Sequence, residues 1–382
     1  MKKILLVTSA YTGAGHKSIS DSLTEQFAGM SGIEVQVVDG FELMGRTGIR
    51  LSGIYGFLTR HAPALYNTFW KITMAHPPRF TLEALFCEHR FMDCVRRFRP
   101  DLILTVHSVF NAMLTGILKK HGLEIPVVVF QADLADIHST WCNPDAYMTI
   151  CPTREAYDAS VSQGISPEKL KIMGFPDRSR FCEAAQSAEA KKEAPSRPLR
   201  CLLMSGGEGS GRLRDYAGSV LRNTDAVLTV VCGRNKKLYR RLQETLGRQY
   251  GERVNILGFV PDVEQVMLHS DLVITRGSPN TLAEAVTMNL PVIMTGPLLG
   301  QEKSNPLLMR KYHLGIICES PADAPQVICG LADSNAARLR EILAAQQALR
   351  RYDVARNIAA YVAELAASLP GRSPDSVKQV RT

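Results

Sequence analysis

Four short stretches of this chain carry residues able to handle a proton or a phosphate. The first, TGAGHKS (Thr12 to Ser18), sets the imidazole of His16 directly after a glycine turn. Glycines let backbone N–H groups approach an anion, and histidine titrates near neutral pH. A tight turn with a capping histidine is the other reading, because the stretch matches neither GxGxxG nor GxxxxGK[ST]. The second, QADLADIHSTW (Gln131 to Trp141), offers a carboxylate at Asp133 and an imidazole at His138 for acid–base work. A helix cap is the alternative job for Asp133. The third, SGGEGSG (Ser205 to Gly211, with Gly207 inside it), suits either a diphosphate cradle or a plain turn. The fourth, Asp271 to Asn305, joins a turn at Gly277 to a helix start at Ser278, Pro279, Asn280 and Thr281. Hydroxyl, amide and backbone donors there suit phosphates, while Glu302 in the following loop can accept two hydrogen bonds from a ribose diol.

The elements that must position these residues read as strand and helix in alternation. KILLVTS, IEVQVVD, DLILTVH, IPVVVF, AYMTI and LKIMGF are short apolar strands separated mostly by segments of helical period. After Phe181, CEAAQSAEAKKEAPSRP has the composition of an interdomain linker. A second series then begins with RCLLM and continues through AVLTVVCG, VNILGFV, DLVITRG, LPVIMTG and GIICES. Near-continuous apolar strands in such alternation predict parallel sheets covered on both faces. The expected α/β architecture is two Rossmann-like domains facing across a cleft, over residues 1–182 and 199–335, with a linker over 183–198. Helices are expected over 336–369, followed by a disordered tail over 370–382.

Composition narrows the setting. The nine cysteines form neither CxxC pairs nor zinc-ligand spacings, which argues for a reducing compartment and against a metal site. The opening MKKILLVTS breaks off at a glycine turn too soon for a signal peptide, and no apolar run approaches the ~18 residues of a spanning helix. The expected location is cytoplasmic, peripheral on the cytoplasmic membrane face. Of the net charge of +8, an excess of five lies within residues 41–100, where nine basic residues face four acidic ones. Inside that region, RTGIRLSGIYGFLTRHAPALYNTFWKITM (Arg46 to Met74) interleaves bases with aromatic residues and interrupts the alternating pattern. An insertion of this kind suits burial in a lipid headgroup layer, or ordinary packing under the second strand. No nucleic-acid-binding module accompanies it, so nucleic acid is not expected as a partner.

Taken together, Gly13-Ala14-Gly15-His16-Lys17-Ser18, ADLADIHSTW with DAYMTICPTREA, LKIMGFPDR, GFVPDVEQVMLHSDLVITRGSPNTLAEA and LPVIMTGPLLGQEKSN resemble one family. It comprises the monogalactosyldiacylglycerol synthases and bacterial processive diacylglycerol glucosyltransferases, with the peptidoglycan lipid-intermediate N-acetylglucosaminyltransferase a more distant relative. The resemblance spans roughly residues 3–335. It departs from the family pattern at Ala14, Ala132 and the GSPNT helix start.

The resemblance implies the two-domain GT-B fold and metal-free, inverting transfer from a UDP-sugar to a lipid hydroxyl. It implies that Glu302 binds ribose, that Ser278, Pro279, Asn280 and Thr281 hold the diphosphate, that Gln301 meets the sugar, and that Phe259 and Val260 meet uracil. Gly207 and Gly277 complete the implied donor site. His16 and Asp133 become the candidate bases. Arg50, Tyr55, Phe57, Arg60, Phe69, Trp70 and His138 become the acceptor and membrane residues. The expected function is therefore a hexosyltransferase (EC 2.4.1.-) acting on diacylglycerol or a related lipid at an anionic membrane surface, with no cofactor beyond its UDP-sugar substrate. Two rivals share the architecture or the charge: a UDP-N-acetylglucosamine epimerase or hydrolase, and a non-catalytic basic lipid-binding protein.

Overall fold

The computed structural model describes residues 1–369 except 13, 76–80, 190–197, 206–211, 297–299 and 333–336, with backbone alone at 55–57, 59–61, 63 and 81–85. It contains two doubly wound units. Unit 1 is built on β1 (Lys2–Thr8), β2 (Ile33–Asp39), β3 (Leu102–Thr105), β4 (Val127–Phe130), β5 (Met148–Cys151) and β6 (Leu170–Ile172), all parallel, in the order β2-β1-β3-β4-β5-β6. Unit 2 is built on β7 (Arg200–Met204), β8 (Val227–Val231), β9 (Val254–Leu257), β10 (Leu272–Thr275), β11 (Val292–Met294) and β12 (Gly315–Ile317), also all parallel, in the order β12-β11-β10-β7-β8-β9.

The central strands are almost wholly apolar because helices cover both faces. LILT in β3, VVVF in β4 and LVIT in β10 are buried at every residue. One side-chain device starts the central strand of each unit. Asp101 Oδ2 accepts from the Lys3 amide at 2.8 Å, and Asp271 Oδ2 accepts from the Arg200 amide at 2.7 Å. Each aspartate thus fixes the register of β3 on β1, or of β10 on β7.

Strand order then decides where chemistry can sit. In unit 1 the chain moves outward from β1 to β2 and then returns to β3 on the other side of β1. The loops after β1 and β3 therefore diverge and open a crevice at their carboxyl ends. In unit 2 the same reversal falls between β7 and β10. The turns holding His16 and Gly277 follow β1 and β10, one at each switch point.

Two expected boundaries need correction. Residues 183–189 are not linker, because Ser179–Glu189 is a helix whose Phe181 is fully buried and whose Arg180 pairs with Glu264 of the Val263–Leu268 helix at 3.2 Å. Alanine and glutamate favour helix as much as they favour linkers, and burial on unit 2 decides between the two. The rest of the expected linker, 190–197, and the expected tail, 370–382, lie outside the described residues. Nor are residues 336–369 one body: the Ala337–Leu349 helix joins the core of unit 2 through Leu339 and Ile342. The Val354–Ser368 helix instead returns to unit 1, burying Ile358, Ala359 and Val362 beside Ile19 and Leu23 of the Ala14–Ala28 helix. The break falls at Arg350–Asp353, where neither helix continues.

Candidate active site

In unit 1, His16 stands in the first turn of the Ala14–Ala28 helix, held to the end of β1 by a bond from Thr8 Oγ1 to its carbonyl (3.1 Å). Its Nδ1 lies 2.7 Å from the carbonyl oxygen of Val106, just past β3. A carbonyl only accepts, so Nδ1 carries the proton and Nε2 presents a lone pair. Burial lowers the His16 pKa to about 4, with the Val106 bond opposing the shift, so the ring is neutral at physiological pH.

A second imidazole, His107, packs 4.3 Å from His16 between ring centroids. Its Nδ1 accepts from the Val109 amide at 3.3 Å, capping the Ser108–Lys120 helix. Its Nε2–H therefore points to Thr12 Oγ1 (3.1 Å), which donates to Ser9 Oγ (3.2 Å). Asp39, at the end of β2, accepts from the Ala10 amide at 2.6 Å and so ties down the same turn.

Asp133 is buried beyond β4, and its Oδ2 accepts the indole N–H of Trp141 at 2.7 Å. Trp141 in turn packs 6.3 Å from the His16 ring. Asp133 therefore holds the ring that packs beside His16. His138 has another setting. Its Nε2 meets Thr73 Oγ1 (3.1 Å) and the Trp70 carbonyl (3.3 Å), while its Nδ1 accepts from the Thr140 amide (3.2 Å). Both ring nitrogens are used inside the protein, so His138 anchors the Pro63–Ala75 helix to the Ser139–Trp141 turn.

The basic aromatic insertion is helical over Gly45–His61, Pro63–Ala75 and Thr81–Phe98. On its surface Leu51, Ile54, Leu65, Phe69, Ile72 and Phe86 are exposed, alongside exposed Arg46, Arg50 and Lys71. Trp70 is half-buried. The side chains of Tyr55, Phe57 and Arg60 lie outside the described residues.

In unit 2, β10 leads through Arg276 and Gly277 to the Pro279–Thr287 helix. Gly277 has φ +87°, so the backbone favours glycine, while a Cβ there would meet only Met294, whose Cε at 2.3 Å is the far end of a flexible side chain. Asn305 Nδ2 donates to the Gly277 carbonyl at 3.0 Å and braces the turn. Ser278 is the N-cap residue, yet its hydroxyl caps no backbone N–H and instead meets Thr281 Oγ1 at 3.1 Å. Pro279 takes the first helical position, where its missing N–H costs nothing. The result is a helix start with two clustered hydroxyls and the positive end of the helix dipole.

Glu302 is buried and accepts from Arg276 Nη2 at 3.1 Å. Phe259, past β9, is exposed, with the Arg234 guanidinium 5.1 Å from its ring centre, and Val260 beside it is half-buried. Gly207 lies outside the described residues. Among the described residues no cluster of three or more His, Cys, Asp or Glu side chains is arranged to hold a metal ion.

Sequence reasoning overlooked His107, Arg276 and Asn305 as site residues. The signal for two of them was position, since His107 and Arg276 stand within two residues of the end of a central strand.

The chain is similar to known glycosyltransferases. Residues 16–176 match the family described as monogalactosyldiacylglycerol (MGDG) synthase, and residues 212–331 match glycosyl transferases group 1. A probable monogalactosyldiacylglycerol synthase 2 of Oryza sativa subsp. indica is 28% identical over 349 residues, covering 85% of this chain and 73% of the relative. Monogalactosyldiacylglycerol synthase 1 of Arabidopsis thaliana is 27% identical over 351 residues, covering 86% of this chain and 64% of the relative. Among solved structures, MurG of Acinetobacter baumannii superposes with a TM-score of 0.65 at 12% identity, covering 95% of this chain and 100% of that one. MnaA of S. aureus with UDP gives 0.61 at 14%, covering 98% and 99%. At these identities the structures bear on the fold alone, which is the GT-B pairing of two parallel α/β units.

Proposed function

We propose that this glycosyltransferase is of the monogalactosyldiacylglycerol synthase kind and that it moves a hexose from a UDP-sugar to the hydroxyl of diacylglycerol, with inversion. The observation that carries this reading is the state of His16, a neutral imidazole whose Nδ1–H is spent on Val106 and whose Nε2 can accept a proton.

In this reading unit 2 binds the donor. The start of the Pro279–Thr287 helix, with Ser278, Asn280 and Thr281, receives the diphosphate, and Glu302 receives the ribose. Unit 1 activates the acceptor. The lipid hydroxyl gives its proton to His16 Nε2 as its oxygen bonds to the anomeric carbon. The bond from that carbon to the β-phosphate oxygen breaks, and the charge left on UDP develops at the positive end of the helix. Asp133 orients Trp141 beside His16 and holds no proton in the reaction. No metal or cofactor enters the scheme.

The acceptor is a lipid, so the enzyme must meet a membrane. Among the described residues no helix is long and apolar enough to cross one. The exposed apolar side chains of the Pro63–Ala75 helix, with Lys71 exposed on the same helix and Arg50 exposed on the preceding one, fit a peripheral contact with an anionic lipid surface.

Calorimetric titration tests the donor half. UDP should bind the wild-type chain and lose about tenfold or more in affinity to E302A, the loss expected when hydrogen bonds to a buried charged group are removed. Equal UDP affinity in E302A and wild type would refute the assignment of Glu302 and, with it, this donor site.

A further inference from the structure

The Pro63–Ala75 helix carries two stripes with different surroundings. Leu65, Phe69 and Ile72 recur at helical spacing and are 58%, 56% and 57% exposed. One residue on, about 100° further round the helix, Tyr66, Trp70 and Thr73 face protein. Thr73 Oγ1 and the Trp70 carbonyl hold His138. The Trp70 ring lies against Gly300, where a Cβ would come within 3.0 Å of it. Tyr66 is 4% exposed and its hydroxyl donates to Gln301 Oε1 at 3.1 Å. Gly300 and Gln301 group with unit 1, although their neighbours in the chain from Glu302 onward group with unit 2.

Gly300 is suited to this place. Its φ is +91°, a conformation L side chains rarely adopt, and the bare Cα lets the Trp70 indole approach the backbone. The peptide preceding Gln301 is thus fixed by an aromatic ring, and the carboxamide of Gln301 by a phenol one helical turn away. With its oxygen turned to Tyr66, the direction of the Gln301 amide nitrogen is set as well.

We propose that Tyr66 is a positioning residue for the donor sugar. Its phenol orients the Gln301 carboxamide, and Trp70 on Gly300 holds the backbone from which that carboxamide projects. The inference rests on the transferase reading, in which Gln301 meets the transferred hexose. It adds that the helix whose exposed stripe fits a lipid surface also sets the geometry of a sugar contact.

The experiment is a double-mutant cycle on the full chain with UDP-hexose and vesicles of diacylglycerol in anionic phospholipid, using Y66F, Q301A and the double variant. Y66F keeps the packed ring and removes one hydrogen bond, so kcat/KM for UDP-hexose should fall about three- to tenfold. Inhibition by UDP, which has no hexose, should stay within about twofold of wild type in both single variants. Y66F/Q301A should match Q301A alone, because the phenol acts only through that side chain. If the two losses multiply, or if Y66F weakens UDP as much as UDP-hexose, the phenol has a general structural role and the proposal is overturned. If the wild-type chain turns over donor and Y66F matches it, the proposal fails by itself. If the wild-type chain turns over no UDP-hexose with any lipid, the transferase reading fails and takes the proposal with it.

Discussion

The Nδ1 atom of His16 lies 2.7 Å from the carbonyl oxygen of Val106, and this one bond settles which nitrogen of the imidazole can take a proton. The helix bearing His16 follows β1, whereas Val106 follows β3, so the tautomer depends on two strands that are adjacent in the sheet and some ninety residues apart in sequence.

A pH dependence follows with a definite sign. Burial lowers the pKa of His16 to about 4 and lowers that of His107 in the same direction, with His16 as the second cause for His107. Turnover limited by neutral His16 should therefore stay level as pH falls past the ordinary histidine range near 6.5, and drop only around 4. Stability should behave differently. Between about 6.5 and 4 the unfolded chain binds protons that the folded chain refuses, so stability falls as pH falls through that window. Melting temperatures of wild type and H16Q from pH 7.5 to 4.5 should converge toward the acid end. H16Q should also lower turnover by about 10²- to 10⁴-fold while leaving UDP affinity unchanged.

Gly277 offers a backbone test. In G277A the residue would keep a φ near +87° and its methyl would meet Met294 Cε, a flexible chain end that can move aside. The conformational strain remains, so G277A should cost about 1–3 kcal/mol in denaturant unfolding, and removing the clash with M294A should recover little of it. UDP affinity should fall in parallel, because the same turn aims the helix start.

The exposed stripe of the Pro63–Ala75 helix can be altered without touching the donor site. Replacing Leu65, Phe69 and Ile72 together by serine removes three side chains that are already more than half exposed, so folding stability should be unchanged. If each side chain buries in lipid with about 1.5 kcal/mol or more, vesicle affinity should fall by at least ~100-fold in flotation assays. UDP binding should be unaffected. An unchanged flotation profile would move the lipid contact elsewhere.

Much of this arrangement was legible in the chain. The inner strands, such as LILT, VVVF and LVIT, stand in near-continuous apolar runs, and fully buried parallel strands leave that signature because both faces are covered. The turns bearing His16 and Gly277 were recognisable because glycine is required where a strand bends back into a helix.

What stayed hidden depends on strand order and on partners distant in sequence. His107 looked like the tail of DLILTVH until β3 was seen beside β1, which sets its ring against His16. Arg276 and Asn305 stood inside a recognised motif, but only folding shows one pairing with Glu302 and the other bracing Gly277. His138 misled for the opposite reason. An imidazole next to a candidate aspartate suggests chemistry, whereas here its two nitrogens tie a helix to a turn. The stretch after Phe181 misled because linker and helix share a composition, and the burial of Phe181, Ala184 and Ala185 separates them.

The central claim is that this chain transfers hexose to a lipid hydroxyl, and its most direct test is release of UDP by the purified protein from a panel of UDP-hexoses, with and without diacylglycerol in anionic vesicles. The account predicts UDP release with at least one donor only when diacylglycerol is present, together with a glycolipid of inverted anomeric configuration. Loss of UDP-sugar at the same rate without acceptor, or no turnover with any donor and lipid, would contradict it.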